Sequence, residues 1–545
     1  MSLSRALRGR LAGQDGFTMV NVMFTMMALG TIAVSSWALA TGDIPLARAD
    51  QDHKRAYEAA QAGLQWYAYQ LDRDPSYWTQ CATVPAIGGQ PAPVNLEWNG
   101  SGSDPRRWRT LPGSTGNDAE KYTVEIMSKR DSSGNPTTAC SIADAVGTAL
   151  QNNTLRIRAT GRANGETRSL IATFKRRSFM DFVYFTSSEA QDPLVGGGTT
   201  AGCLKQRSAP RSGCTEITFT SGDQVKGPLH SNDSSLLTTG SPITFGRSGR
   251  NDVFEISGPS PGYVGTGSPT FNGPQLFNAP TMDPPPANTT LKTLATPAWT
   301  FTGDTCLIFQ PNQTVDVVTG LDWAATGRVT CTGGTTTNKP LTGAGAPPNG
   351  VIYVQSSTSA GCSGTYKKYQ VYDNTATCGD VAVSGTYAAS VTVGSENDII
   401  VNANVYKDSS FDVMLGLVAN GFVRIYHPIQ GIKSTGPQTG TCGSTNATPP
   451  GFTRVSRVDA AILSLNHSFM VDNYHCGNPE GTLTVNGAIA QLFRGVVGTN
   501  NGTTGYIKDY NYDDRLKIRE PPNFLDPVKV SWRIVRQTEQ KPPTK

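Results

Sequence analysis

The sequence is short of charge. Only 16% of its 545 residues are Asp, Glu, Lys or Arg, and they leave a formal net charge of +4. So small an excess gives no electrostatic footprint for nucleic acid, which is not favoured as a partner, or for an acidic membrane surface. Cysteine is absent before Cys81, and no two of the ten cysteines stand at Cys-x-x-Cys spacing, which argues against zinc. Histidine is scarce: none of His53, His230, His427, His467 and His475 falls at the spacing of a helical metal motif. No Gly-rich phosphate loop and no nucleophile elbow occurs either. The sequence therefore predicts no metal, no cofactor and no catalytic residue.

Glycine is plentiful, with 58 residues against 35 prolines, and Thr, Ser and Asn are abundant. Between these turn formers, short runs of Val, Ile, Leu and Phe recur, which predicts many short strands joined by tight turns. The length predicts two or more folding units. An even set of cysteines (Cys81, Cys140, Cys203, Cys214, Cys306, Cys331, Cys362, Cys378, Cys442, Cys476) points to disulfides and an oxidising, extracytoplasmic setting. Pairing of neighbours, from Cys81 with Cys140 to Cys442 with Cys476, is the simplest connectivity, although spacing alone does not fix it.

The N-terminus carries Arg5, Arg8 and Arg10 against Asp15, followed by the uncharged run from Phe17 to Ala40. As a helix that run crosses a hydrocarbon core of about 30 Å. Its basic flank stays cytoplasmic, so the bulk of a single-pass chain lies outside. A secretory signal would instead be cut after "SSWALA". Against that alternative, helical spacing continues through Leu46, Ala49, His53, Ala56, Ala60, Leu64 and Leu71. Gly42 and Pro45 are expected to bend or loosen the helix without ending it. A rod from Phe17 to about Asp72 spans roughly 84 Å.

The basic leader, the Gly16–Phe17 junction, the apolar helix and its amphipathic extension together resemble a type IV prepilin. The stretch "AYEAAQAGLQWYAYQL" further resembles PilX-type minor pilins. The resemblance implies cleavage after Gly16 by a prepilin peptidase, methylation of Phe17, and partners among other pilins and the pilus assembly platform. It also singles out Asn21 as the subunit-register position. The family usually has Glu there, whose carboxylate pairs with a neighbouring subunit's terminal ammonium. Asn accepts a hydrogen bond but cannot neutralise that charge. In the family, a subunit lacking the Glu sits at the filament tip; a merely tolerated polar residue is the plainer alternative.

After a Pro-, Gly- and Trp-rich loop from Tyr77 to about Pro112, "KYTVEIM" places Tyr122, Val124 and Ile126 on one face. Two alternating runs then flank Asn164-Gly165, a strong hairpin signal. Beyond Arg177 the texture changes. Asn402, Asn420, Asn466 and Asn486 follow apolar runs, and the gaps of 18 and 20 residues suit coils of a β-solenoid with Asn at repeated turns. These phrases resemble the β-helical extensions of PilX-like surface proteins, with an aromatic-rich cap near the end. The predicted order is leader 1–16, transmembrane and amphipathic helix 17–75, pilin-like head with a hairpin 76–178, β-solenoid-like extracellular domain 179–535 and flexible tail 536–545. The fold class is thus an α+β pilin-like region, a long helix plus a small antiparallel sheet, followed by a mainly-β domain. For that domain a right-handed β-solenoid is expected, with a β-sandwich array as the alternative.

The function expected is a minor pilin or pilin-like subunit at or near a pilus tip. It would act in filament assembly and surface adhesion, with a surface or carbohydrate ligand. A globule of this size has a radius of gyration near 21 Å, and repeating it along a packed shaft would cause clashes. A type II-like secretion pseudopilin shares every N-terminal feature. A membrane-tethered β-helical enzyme acting on polysaccharide would need paired carboxylates. Asp223, Asp233, Glu396, Asp398 and Asp412 are the acids available, yet the sequence marks no pair. Asp513 and Asp514 in "NYDDR" lack the rhythm of a calcium loop. "KRR", Lys175 to Arg177, reads as a solvated strand edge or a weak DNA contact.

Overall fold

The computed structural model describes residues 17–74, 77–79, 108–116, 119–126, 150–151, 154–207, 210–357, 362, 377–429, 453–499, 502–528 and 532–541. The chain forms two compact units, one from residues 1–175 with 532–545 and the other from Arg176–Ser531.

In the first unit one unbroken helix runs Phe17–Arg73, straight through Gly42 and Pro45. Its second half owes its place to small and apolar residues at helical spacing. Ala56, Ala60, Leu64, Tyr67 and Leu71 are fully buried, and the last four pack with Tyr122, Val124, Leu155, Ile157, Ala159 and Phe174 of a sheet. That sheet contains Lys121–Ile126 beside Thr154–Ala163, and Thr154–Ala163 beside Glu166–Arg176, both pairs antiparallel. The hairpin turns at Asn164 and Gly165, both at positive φ (46° and 86°), as a tight two-residue turn requires. Gly161 lies against the helix backbone, where a Cβ would stand 2.1 Å from the Ala56 carbonyl oxygen. The same sheet takes Trp532–Gln540 as its outer strand next to Glu166–Arg176. Arg168 Nε is 2.7 Å from Glu539 Oε1, and Gln537 Nε2 donates to Gln61 Oε1 at 2.6 Å. The expected tail 536–545 is therefore sheet through Gln540, because Trp532 enters this core and the ion pair holds the strand.

The second unit follows the expected largely β pattern, and most of its ladders are parallel, apart from an antiparallel meander of Thr305–Gln310, Thr314–Thr319 and Thr335–Pro340. Ile352, Val393, Leu417, Ile462, Ile489, Tyr184, Leu229 and Phe254 are successive register partners. All are buried, so one continuous apolar column runs through strands far apart in sequence. A second column stacks Val405, Val458, Val485, Tyr510, Val225, Phe245 and Phe271. The first strand of the unit, Tyr184–Gln191, lies inside the ladder, between Pro479–Arg494 and Leu229–Ser231. From it the chain builds outward to Gln275–Leu276, then crosses to the far end at Thr300–Thr302. The crossing segment is tied down by asparagines. Asn232 exchanges two bonds with the Met282 backbone (2.7 and 2.8 Å). Asn288 donates to the Ser395 and Val418 carbonyls (2.7 and 3.1 Å) and accepts from the Tyr353 hydroxyl (2.8 Å). Strands such as Leu415–Ala419 are buried along their whole length, as expected of parallel sheet covered on both faces.

Two sequence expectations change here. Asn420 and Asn466 sit in turns, but Asn402 and Asn486 lie within the strands Ile399–Lys407 and Pro479–Arg494. Nor does the aromatic segment cap an end. Thr504–Tyr512 is flanked by Pro479–Arg494 on one side and Gln224–Lys226 on the other, which is why Tyr506, Tyr510 and Tyr512 are buried.

Candidate functional site

Gly16 lies outside the described residues, and the helix begins at Phe17. From Met19 to Trp37 the helix is long and apolar enough to cross a membrane, and none of it is buried within the chain. Val22, Met23, Phe24, Met26 and Met27 are all exposed. A helix that is apolar all round needs a cover, either lipid or other helices. Its hydroxyls suit such surroundings, since Thr25 Oγ1 donates to the Asn21 and Val22 carbonyls (2.8 and 2.9 Å) and Thr31 Oγ1 to Ala28 (2.9 Å). Asn21 is exposed on this stretch, and its side chain has no hydrogen bond among the described residues. The helix thus joins two surfaces of different kinds, an unpaired apolar rod and an amphipathic half already packed on its own sheet.

Disulfides join Cys203 to Cys214, Cys306 to Cys331 and Cys362 to Cys378. Cys476 is also disulfide-bonded, while Cys442, Cys81 and Cys140 lie outside the described residues.

The five acids considered for catalysis each meet a cation. Asp223 pairs with Lys508 (3.1 Å), Asp233 with Arg211, Glu396 with Lys292 (3.4 Å), Asp398 with Arg424 (3.2 Å) and Asp412 with Arg515 (2.6 Å) and Arg519. Asp513 and Asp514 likewise face Arg515, Arg247 and Lys517. Among the described residues no group of three or more His, Cys, Asp or Glu is arranged to hold a metal. The basic trio differs from its expected solvated edge. Lys175 is buried within the first unit, on the strand paired with Thr154, while Arg176 pairs with Asp526 (3.6 Å) and Arg177 with Glu255 where the chain enters the second unit.

His53, His230, His427 and His467 each meet an acidic side chain. His230 is fully buried, stacked on Phe185 at 5.6 Å and bonded to Glu255 (2.9 Å) and Asn232 (3.0 Å). Burial and then the Arg177 charge drive its pKa down to about 3. His467 stacks on Phe422 at 4.4 Å and meets Asp192 at 2.9 Å. His427 faces Glu480 at 3.4 Å, and His53 faces Glu166 at 3.4 Å.

Sequence reasoning missed the buried cations. Arg494 is 1% exposed, pairs with Glu189 at 3.2 Å and lies 3.6 Å over the Phe219 ring. Burial pushes the Glu189 carboxyl up, and Arg494 opposes that rise. Arg424 joins Asp472 at 2.7 Å to Asp398, and burial pushes Asp472 up as well. The signal available was a lone Arg at the end of or within an apolar run, as in "AIAQLFRG" and "NGFVRIY".

No family model matches the chain, and no curated protein does. A solved structure titled competence-associated pilin ComZ, from Thermus thermophilus, is similar at 12% identity and a TM-score of 0.27. The match covers 90% of this chain and 98% of that one. At that TM-score the likeness carries no argument.

Proposed function

We propose that the chain is a pilin-like subunit of a type IV filament, a minor pilin at or near the tip that serves filament assembly and surface adhesion. The observation that carries the reading is the division of the Phe17–Arg73 helix. Its Met19–Trp37 portion is apolar on every side and uncovered, while Ala56 to Leu71 is buried against an antiparallel sheet of the same chain. A helix so built exchanges lipid for sister helices while its own head stays folded. Residues 1–16 are a leader removed by prepilin peptidase, Phe17 is methylated, and residues 17–40 hold the subunit in the membrane before assembly. The disulfides favour an extracytoplasmic location for the second unit.

We read that unit as a β-solenoid. Register partners that recur in parallel over one apolar column support this, whereas a sandwich array would pair its strands antiparallel. A tip position agrees with Asn21, which offers a neighbouring terminus no neutralising charge, and with a mass that would crowd a shaft. The ion-paired state of all five candidate acids weighs against the tethered-enzyme alternative.

Mass spectrometry of the mature N-terminus tests the reading. A methylated Phe17, lost when Gly16 is replaced by Val, is the expected result. A mature chain starting near Thr41 would leave a plain secreted protein.

A further inference from the structure

A cavity of about 290 Å³ opens in the second unit where the segment Ile217–Asp223 meets Val496–Thr499 and Gly502–Lys508. Its size falls just under the roughly 300–1,000 Å³ of sites for drug-sized ligands, which leaves room for one ring and not for an oligomer. Among the described residues two charged ones line it, and they are each other's partners. Lys508 Nζ donates to Asp223 Oδ2 at 3.1 Å, with side chains only 14% and 9% exposed. The Thr220 backbone N–H donates to the same Oδ2 at 3.0 Å. Asp223 Oδ1 accepts no hydrogen bond among the described residues. Lys508 has this one acceptor for its three N–H groups. The pair therefore brings to the cavity an unused carboxylate oxygen and unused ammonium hydrogens, with no net charge.

Around the pair, the hydroxyl residues Thr218, Ser221 and Thr499 line the same cavity, with Ile217, Val496 and Ile507 supplying apolar wall. Each ligand class meets this set differently. An anion would face the free Asp223 oxygen, a cation would face Lys508, and an apolar guest would leave partly buried polar groups without partners. A neutral ring bearing adjacent hydroxyls satisfies both. One hydroxyl donates to Asp223, its neighbour accepts from Lys508, and the C–H faces of the ring lie against the aliphatic wall.

We propose that this cavity binds a single neutral sugar residue through Asp223 and Lys508. It gives the adhesive part of the proposed function a location and rests on that reading for its use, while the binding itself belongs to the second unit. Full-length protein in detergent, titrated with the methyl glycosides of glucose, galactose, mannose and N-acetylglucosamine and observed by saturation-transfer NMR, tests it. At least one glycoside is expected to bind, with affinity falling tenfold or more in Asp223→Asn and in Lys508→Met. Ile507→Trp, at a position 39% exposed and outside the ion pair, should fill the cavity and abolish binding while leaving the circular dichroism spectrum unchanged. The proposal is overturned if none of the four glycosides binds or if Ile507→Trp binds as the parent does. Mature N-terminal processing, read on the same samples, fails or succeeds independently and keeps the two readings apart.

Discussion

Ile489 stands opposite Tyr184 in a parallel ladder, so the strand near the end of the second unit closes on the strand that begins it. The chain enters its own ladder in the middle, builds to one end, crosses over, and returns from the other end. Tyr184–Gln191 gains its second paired edge only when Pro479–Arg494 has been placed, so the unit is closed by contacts of very long sequence separation.

This path predicts an unusual exchange pattern. Amides of Tyr184–Gln191, though first in the unit, should exchange among the slowest, because they are covered on both edges. Those of Gln275–Leu276, which are exposed and end the ladder, should exchange among the fastest. Truncation before Pro479 should raise exchange at Tyr184–Gln191 first. Unchanged protection there after truncation would refute the closure.

In the first unit the close approach of Gly161 to the helix makes a separate prediction. A Cβ at this position would fall 2.1 Å from the Ala56 oxygen and 2.4 Å from the Ala60 nitrogen, atoms that no side-chain rotation can move away. Gly161→Val should force helix and sheet apart, at a cost of about 1–3 kcal/mol or more from overpacking. Gly165→Ala, at the hairpin with φ 86°, strains only its turn and should cost less. Thermal melts of the two variants give the comparison.

The sequence made the local parts of this architecture legible and left the long-range parts hidden. Helical spacing from Ala56 to Leu71 marked a buried face because Ala and Leu recur at three- and four-residue steps. Asn164-Gly165 marked a hairpin because both residues tolerate positive φ. Gly, Asn and short aliphatic runs marked many short strands. What remained invisible needed a fold to bring distant residues together. Asp223 meets Lys508, Glu189 meets Arg494, and Trp532 returns to a sheet whose other strands precede Arg177. The asparagines misled by half, since Asn402 and Asn486 follow apolar runs as Asn420 does, yet their strands continue past them.

Arg494 predicts a large effect from one guanidinium. It is buried with Glu189, and removing it leaves a carboxyl without its counter-charge in a site that water does not reach. Breaking a buried pair in this way costs about 3–5 kcal/mol. Arg494→Met should therefore destabilise the second unit by that order in urea melts. Glu189→Gln in the same chain should recover part of it, because an uncharged amide no longer needs the cation. If the double variant is as weak as the single one, packing over Phe219 rather than charge is the dominant contribution.

Asp304 predicts a pH dependence of definite sign. The residue is 2% exposed, its Oδ2 accepts from the Trp323 backbone N–H at 2.9 Å, and its Oδ1 has no partner among the described residues. Burial first, and then the charges of Asp380 and Asp322, push its carboxyl from 3.8 up to about 8. Between those values the unfolded chain has lost a proton that the folded chain keeps. Folding therefore takes up a proton, and stability falls as pH rises through that window. The contribution is fully present below pH 3.8 and gone above about pH 8. Asp304→Asn keeps an oxygen to accept from Trp323 but cannot ionise, so its stability should not fall across the window. Each pKa unit is worth about 1.4 kcal/mol, so the variant's Tm should exceed the parent's by more at pH 8 than at pH 5. A gap that stays constant with pH would mean that Asp304 is ionised in the folded protein and that its neighbours, not its burial, set its state.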